Sequence, residues 1–219
     1  MADHDAKPRT GLRELKKRAT REALTLAALR LAVERGLGNV RVEDIAAEAQ
    51  VTTRTFNNYF SSKYEAVVAR HTDRVRKAAE ALRARPAGEP LWDAIAHAVL
   101  APLAGAERAH AQPDPDTLAG IRLVTAEPAL RAEMLKTGLA ADGEFAAVVA
   151  ARTGTDAARD MYPRLVAGAV SAATHVATDQ WLRLQPPVPL APLLRDALRQ
   201  IAAGLPDPSA TTTRQKETA

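Results

Sequence analysis

The sequence predicts an all-α chain with two parts, and three observations carry that prediction. Apolar residues recur at spacings of three and four along segment after segment, the signature of one buried helix face. Alanine is abundant throughout, which fits strong helix formers. The breaks fall at glycines and prolines, above all in RPAGEP at 85–90, where two prolines and a glycine within six residues cannot continue a helix.

Residues 1–10 form a polar lead without periodicity and are expected to be disordered. A first helix is expected over 12–35, closed by Gly36 as C-cap. The stretch VEDIAAEAQVTTRTFNNYFSSKYEAVV at 42–68 follows and is the most informative in the chain. Val42, Ile45, Ala46 and Ala49 fall at i, i+3, i+4 and i+7 and leave Glu43, Asp44 and Glu48 to water. After a break at Gln50, Val51 points inward and Thr52 is placed to cap a second short helix. That helix buries Phe56 and Phe60 and turns Thr53, Arg54, Asn57 and Asn58 outward. Arg pairs bidentately with guanine and Asn with adenine in the major groove, so these side chains are candidate base readers of a helix-turn-helix unit. Thr52 belongs to the same DNA-facing set, and Tyr59 and Lys63 are candidate phosphate contacts. Ser62 with Glu65 three residues on fits a capping box that starts a long helix over 63–83.

VEDIAAEAQV…RTFNNYFSSKYEAVV resembles the N-terminal domain of TetR-family transcriptional regulators over residues 12–70. The resemblance implies a helix-turn-helix DNA-binding domain, then a larger helical domain for ligand binding and dimerisation, in a homodimer. Two positions depart from the family pattern: Gln50 stands where Gly is common, and Arg41 where a Ser or Thr cap is common. Gln at positive φ costs roughly 1 kcal/mol, so a strained turn in an intact fold is expected. TFNNYFSSKYEAVVARH, RPAGEPLWDAI and RLVTAEPALRAEML are also similar to a branch with acyl-CoA-like effectors that includes regulators of mycofactocin genes.

Charge agrees with a division of labour. Residues 1–85 carry 18 Lys and Arg against 11 Asp and Glu, while residues 86–219 carry 12 against 15. A basic N-terminal part suits phosphate neutralisation, although chance clustering on solvated helices gives the same asymmetry. Arg13, Lys16, Lys17, Arg18 and Arg21 are either backbone contacts or such a solvated face. The chain has no cysteine, which removes disulfides, thiolate metal sites and thiol nucleophiles and suits a reducing cytoplasm. No apolar leader or bilayer-length segment occurs, so a cytoplasmic protein without membrane contact is expected.

The expected organisation is a disordered arm at 1–10, a helix-turn-helix domain at 11–60, a connecting helix at 61–85, a ligand-binding and dimerisation domain at 86–204, and a disordered tail at 205–219. Within the large domain, helices are expected over 91–103, 116–125, 128–152, 160–184 and 191–203. The fourth of these carries two apolar stripes. Leu165, Ala169, Ala172 and Val176 form one; Val166, Val170, Ala173, Ala177, Trp181 and Leu184 form the other. One stripe suffices for a core, so the second, with Leu194, Ala197, Leu198 and Ile201, is the expected dimer surface, where the family resemblance implies a four-helix bundle.

No catalytic constellation, metal site or phosphate-cradling glycine loop is legible, and no cofactor is expected. Asp93 with His97 and His175 with Asp179 are i, i+4 pairs common on helix surfaces, without a third ligand. A pocket is the better reading of the large domain. Leu118, Ile121, Arg122 and Thr125 share one face, so Arg122 needs an anion, either Asp142 or a ligand group. Trp92, Ile95 and Val99 on one helix, with Leu130, Met134 and Phe145 on another, are candidate ligand contacts as well as ordinary core residues. The sequence therefore predicts a dimeric repressor of a palindromic operator on double-stranded DNA, released by a small apolar or acyl-CoA-like effector. The rival readings are a small-molecule-binding protein or enzyme with a non-functional DNA unit, and an unregulated nucleoid-type binder.

Overall fold

The computed structural model describes residues 7–104, 115–184 and 188–207, and the side chains of all of these except 7–12 and 115–117. Nine α-helices and two 3-10 turns occur among the described residues, with no strand. The helices are α1 (Lys7–Arg35), α2 (Val42–Glu48), α3 (Thr53–Asn57), α4 (Lys63–Ala84), α5 (Leu91–Leu100), α6 (Pro115–Ala126), α7 (Pro128–Thr153), α8 (Met161–Arg183) and α9 (Leu190–Ala202). The 3-10 turns are Leu37–Asn39 and Ala101–Leu103.

Helix α1 starts earlier than expected, so residues 7–10 are helical where a disordered lead was predicted. Pro8 sits in the first turn, where its missing N–H removes no helical bond. The rest of the expected arm, the tail from 208 and two of the prolines before α9 lie outside the described residues. Gly36, at φ 77, closes α1 in the left-handed region that glycine adopts without strain.

The chain packs as two compact units, Met1–Asp73 with Asp114–Gly138, and Arg74–Pro113 with Leu139–Ala219. Helix α4 belongs to one unit up to Asp73 and to the other beyond it, and α7 changes unit after Gly138. Burial is the reason: Leu130 of α7 is fully buried in the first core, with Leu123, Val124 and Met134 packed against it.

In the first unit α1 packs on α2 and α6, and α2 on α3. Its core gathers Leu24, Ala28, Leu31, Ile45, Phe56, Phe60 and Val67. Gly120 of α6 lies directly against Leu29 of α1: a Cβ added there would meet Leu29 Cδ2 at 2.9 Å. The inward face of α6 is thus Gly120, Leu123 and Val124, and Arg122 is exposed. The expectation that Arg122 lies on a buried stripe and needs an anion is corrected. A glycine carries no weight in an apolar pattern, yet here its missing side chain defines the packed face.

In the second unit α9 packs on α8 and α5. Val166, Val170, Ala173, Ala177 and Trp181 turn inward with Leu194 and Leu198 of α9. The stripe assigned to the dimer surface is therefore core, and the other stripe faces out. Leu165 is 60% and Val176 58% exposed, continuous with Met161 and Tyr162. Periodicity shows that two stripes exist; only the position of α9 decides which is covered. No helix among the described residues is long and apolar enough to cross a membrane.

Candidate nucleic-acid interface

The α2–α3 turn is built from backbone bonds that need a left-handed residue. The Val51 N–H reaches Ala46 O at 2.9 Å and the Gln50 N–H reaches Ala47 O at 3.0 Å, the paired bonds that close a helix through a left-handed residue. Gln50 supplies it at φ 55, as expected from its place in the sequence. At the start of α2 the Arg41 side chain caps nothing; instead the Arg41 N–H donates to Asp44 Oδ2 at 2.9 Å. The missing Ser or Thr cap is thus offset by the acid three residues on, one half of a capping box.

Helix α3 is presented by its cap and by two aromatic anchors. The Thr55 N–H donates to Thr52 Oγ1 at 3.1 Å. Phe56 and Phe60 are buried, ring centroids 5.7 Å apart in a tilted pair. With that side fixed inward, Thr52, Arg54, Asn57 and Asn58 are exposed, and Thr53 is half-buried. All lie on or beside one turn of helix, with donors and acceptors suited to base edges. The Glu65 N–H donates to Ser62 Oγ at 3.1 Å, and Glu65 Oε2 accepts from the Ser61 N–H and hydroxyl, so α4 begins at the expected cap.

Two residues expected at phosphates are held by the protein itself. Lys63 Nζ donates to Leu37 O and Val40 O, both at 2.8 Å, and lies 5.5 Å from the Tyr64 ring centroid. Tyr59 is half-buried against the core, and its carbonyl accepts from Arg21. Arg21 also pairs with Asp73 and stacks over the Phe60 ring at 4.5 Å, whereas Arg13, Lys16, Lys17 and Arg18 are exposed. The signal for Arg21 was present: it stands three and seven residues before Leu24 and Ala28, on the buried stripe of α1.

The candidate ligand residues do not gather in one unit. Ile95 and Phe145 are buried in the second core with Trp92 and Val99 packed against it, while Met134 packs on the first core. Asp142, weighed as a partner for Arg122, instead accepts a 2.7 Å bond from the Ser171 hydroxyl. Burial pushes its carboxyl up and the Ser171 bond opposes the rise. His97 bonds Glu89 at 2.8 Å and Asp179 pairs with Arg183 at 2.6 Å, so neither expected acid–His pair forms. No group of three potential metal ligands occurs among the described residues.

The corner at 85–90 is the other dense polar feature. Arg152 donates to four carbonyls, Leu82 in the last turn of α4 and Arg85, Pro86 and Glu89 beyond it. Arg85 meets Glu89 bidentately at 2.6 Å, and this bond chiefly lowers the Glu89 carboxyl to about 2.

Residues 24–69 match the family described as "Bacterial regulatory proteins, tetR family", and residues 89–206 match "MftR C-terminal domain". The chain is 34% identical to the HTH-type transcriptional regulator TcmR of Streptomyces glaucescens over 173 residues, 78% of this chain and 76% of that protein. Its fold is similar to the crystal structure of Thermus thermophilus FadR, a TetR-family repressor in complex with lauroyl-CoA. The TM-score is 0.52 at 20% identity, over 85% of this chain and 95% of that one.

Proposed function

Since the chain belongs to the TetR family of transcriptional regulators, we propose that it binds a palindromic operator as a homodimer and is released by a small apolar or acyl-CoA-like effector. The carrying observation is the exposed set Arg54, Asn57 and Asn58 on a helix whose opposite side is fixed by Phe56. Thr52 and Thr53 complete the DNA-facing surface, with Arg13, Lys16 and Lys17 as backbone contacts.

The dimer surface in this reading is the outward stripe of α8, Leu165, Ala169, Ala172 and Val176 with Met161 and Tyr162, because a monomer rarely leaves such a row to water. The effector is assigned to the second unit, against Trp92 and Val99 at the edge of the core and Ile95 and Phe145 within it. Arg122 and Met134, held in the first unit, drop out of that assignment. The acyl-CoA class rests on the resemblance of the sequence to a branch with such effectors and on the lauroyl-CoA bound by Thermus FadR. Effector binding would shift the population toward a form whose two α3 helices no longer match half-sites a whole DNA turn apart.

The test is fluorescence anisotropy on duplexes enriched by the purified protein from a random pool. Arg54→Ala with Asn57→Ala should weaken operator binding about a hundredfold, since each bidentate base contact contributes roughly 1–3 kcal/mol. Unchanged specific binding by the double variant sinks the reading. Lauroyl-CoA and free CoA, titrated into the same complex, test the effector class, and Leu165→Asp should yield monomers by sedimentation.

A further inference from the structure

We propose that Arg21 and Lys63 are positioning residues for operator reading, fixing the two ends of the α2–α3 unit rather than neutralising phosphates. The inference rests on the DNA-reading function above and adds to it which cations do something other than touch DNA.

Lys63 is the first residue of α4, just beyond α3, and its ammonium donates to Leu37 O and Val40 O, on the segment that leads into α2. An ammonium has three donors, and two are committed here at short range. The grip joins residues 26 apart in sequence, so the entry to α2 and the exit from α3 are held to one point. Arg21 makes the corresponding grip from α1. Its guanidinium bonds Asp73 within α4 and, on the segment that leaves α3, the Tyr59 carbonyl, and lies 4.5 Å over the Phe60 ring. Neither cation is fully exposed. A helix of five residues has almost no stability of its own, so its orientation is set by what holds the chain on either side. These two cations hold it, and neither bonds a residue of the exposed face of α3.

The experiment measures, for full-length protein, affinity for the selected operator and for random duplex across a salt series, well below each variant's melting midpoint. Lys63→Met is expected to lower the ratio of random to operator Kd at least tenfold while the salt slope of random-duplex binding stays as in wild type. A phosphate contact would do the reverse, reducing the slope by about one with the ratio unchanged, and would overturn the proposal. Lys63→Arg keeps the charge without the two-carbonyl fit and decides the matter if the Met variant does not fold. A lowered ratio supports positioning; an unchanged ratio overturns it. Arg21→Gln should resemble Lys63→Met in ratio, and a variant that merely melts earlier with an intact ratio counts against the role. Wild type that enriches no duplex over random would refute the DNA-reading function itself. Wild type that does so, with variants of intact ratio, refutes only the positioning role.

Discussion

The two compact units bury different kinds of side chain. The first rests on a pair of aromatics, Phe56 and Phe60, set among leucines and valines, and it carries the exposed row Arg54, Asn57 and Asn58. The second is built largely from Ala and Val, with Ala78, Ala94, Ala98, Ala146, Ala167, Ala173 and Ala177 letting helices approach closely. In the reading unit stability is concentrated in a few large groups that also aim the functional face. In the other, Phe145 is the one aromatic of the central cluster and the rest is mostly alanine and valine with a few leucines, so stability is spread more evenly.

That contrast can be broken by substitution. Phe56→Ala leaves a cavity in the first core and should cost about 3–5 kcal/mol, enough to abolish operator binding, while the second unit retains its helicity. Circular dichroism melts of the variant check this; a single unchanged transition would mean that the aromatics do not carry the first unit. Gly120→Val places a side chain against Leu29 and should cost about 1–3 kcal/mol, read by chemical denaturation. Gly143→Val on the exposed face of α7, where nothing lies within 4 Å of a Cβ, is the matched control and should be nearly neutral. Gln50→Gly relieves the left-handed residue and should stabilise by about 0.5–1 kcal/mol without altering DNA specificity.

The smallest effect is electrostatic. Asp142 has its folded carboxyl raised by burial, so its charged form opposes folding above that raised value. The penalty is relieved as pH falls toward the ordinary 3.8. Asp142→Asn should therefore melt higher than wild type at pH 7, and the difference should close near pH 3. Glu89 has the opposite sign: held near 2, it contributes stability above its ordinary 4.5 that is lost as pH falls through its folded value. Glu89→Gln should therefore melt lower than wild type at pH 7, and a gap that does not narrow as pH falls toward 2 would contradict that assignment.

The reading unit was legible because its rules are local. The Thr52 cap, the Phe56 and Phe60 spacing, the Ser62–Glu65 pair and the left-handed Gln50 each depend on residues within a turn or two. The remaining helices were placed within a few residues for the same reason. What failed depended on distant partners. Whether Arg122 is buried is decided by Gly120 seating against Leu29, and which α8 stripe is covered is decided by α9. The Lys63 grip was not foreseen because its partners, Leu37 O and Val40 O, are backbone atoms that no side-chain pattern reveals.

The Arg152 clasp also bears on how the chain can change over evolutionary time. Exposed corners between helices ordinarily absorb insertions and deletions with little penalty. At this one a single guanidinium is shared among Leu82, Arg85, Pro86 and Glu89 carbonyls, so one added residue would move at least one of them out of reach. Homologues that keep an arginine at this place in α7 should therefore keep the corner's length, and those that lose it should show corners of varied length.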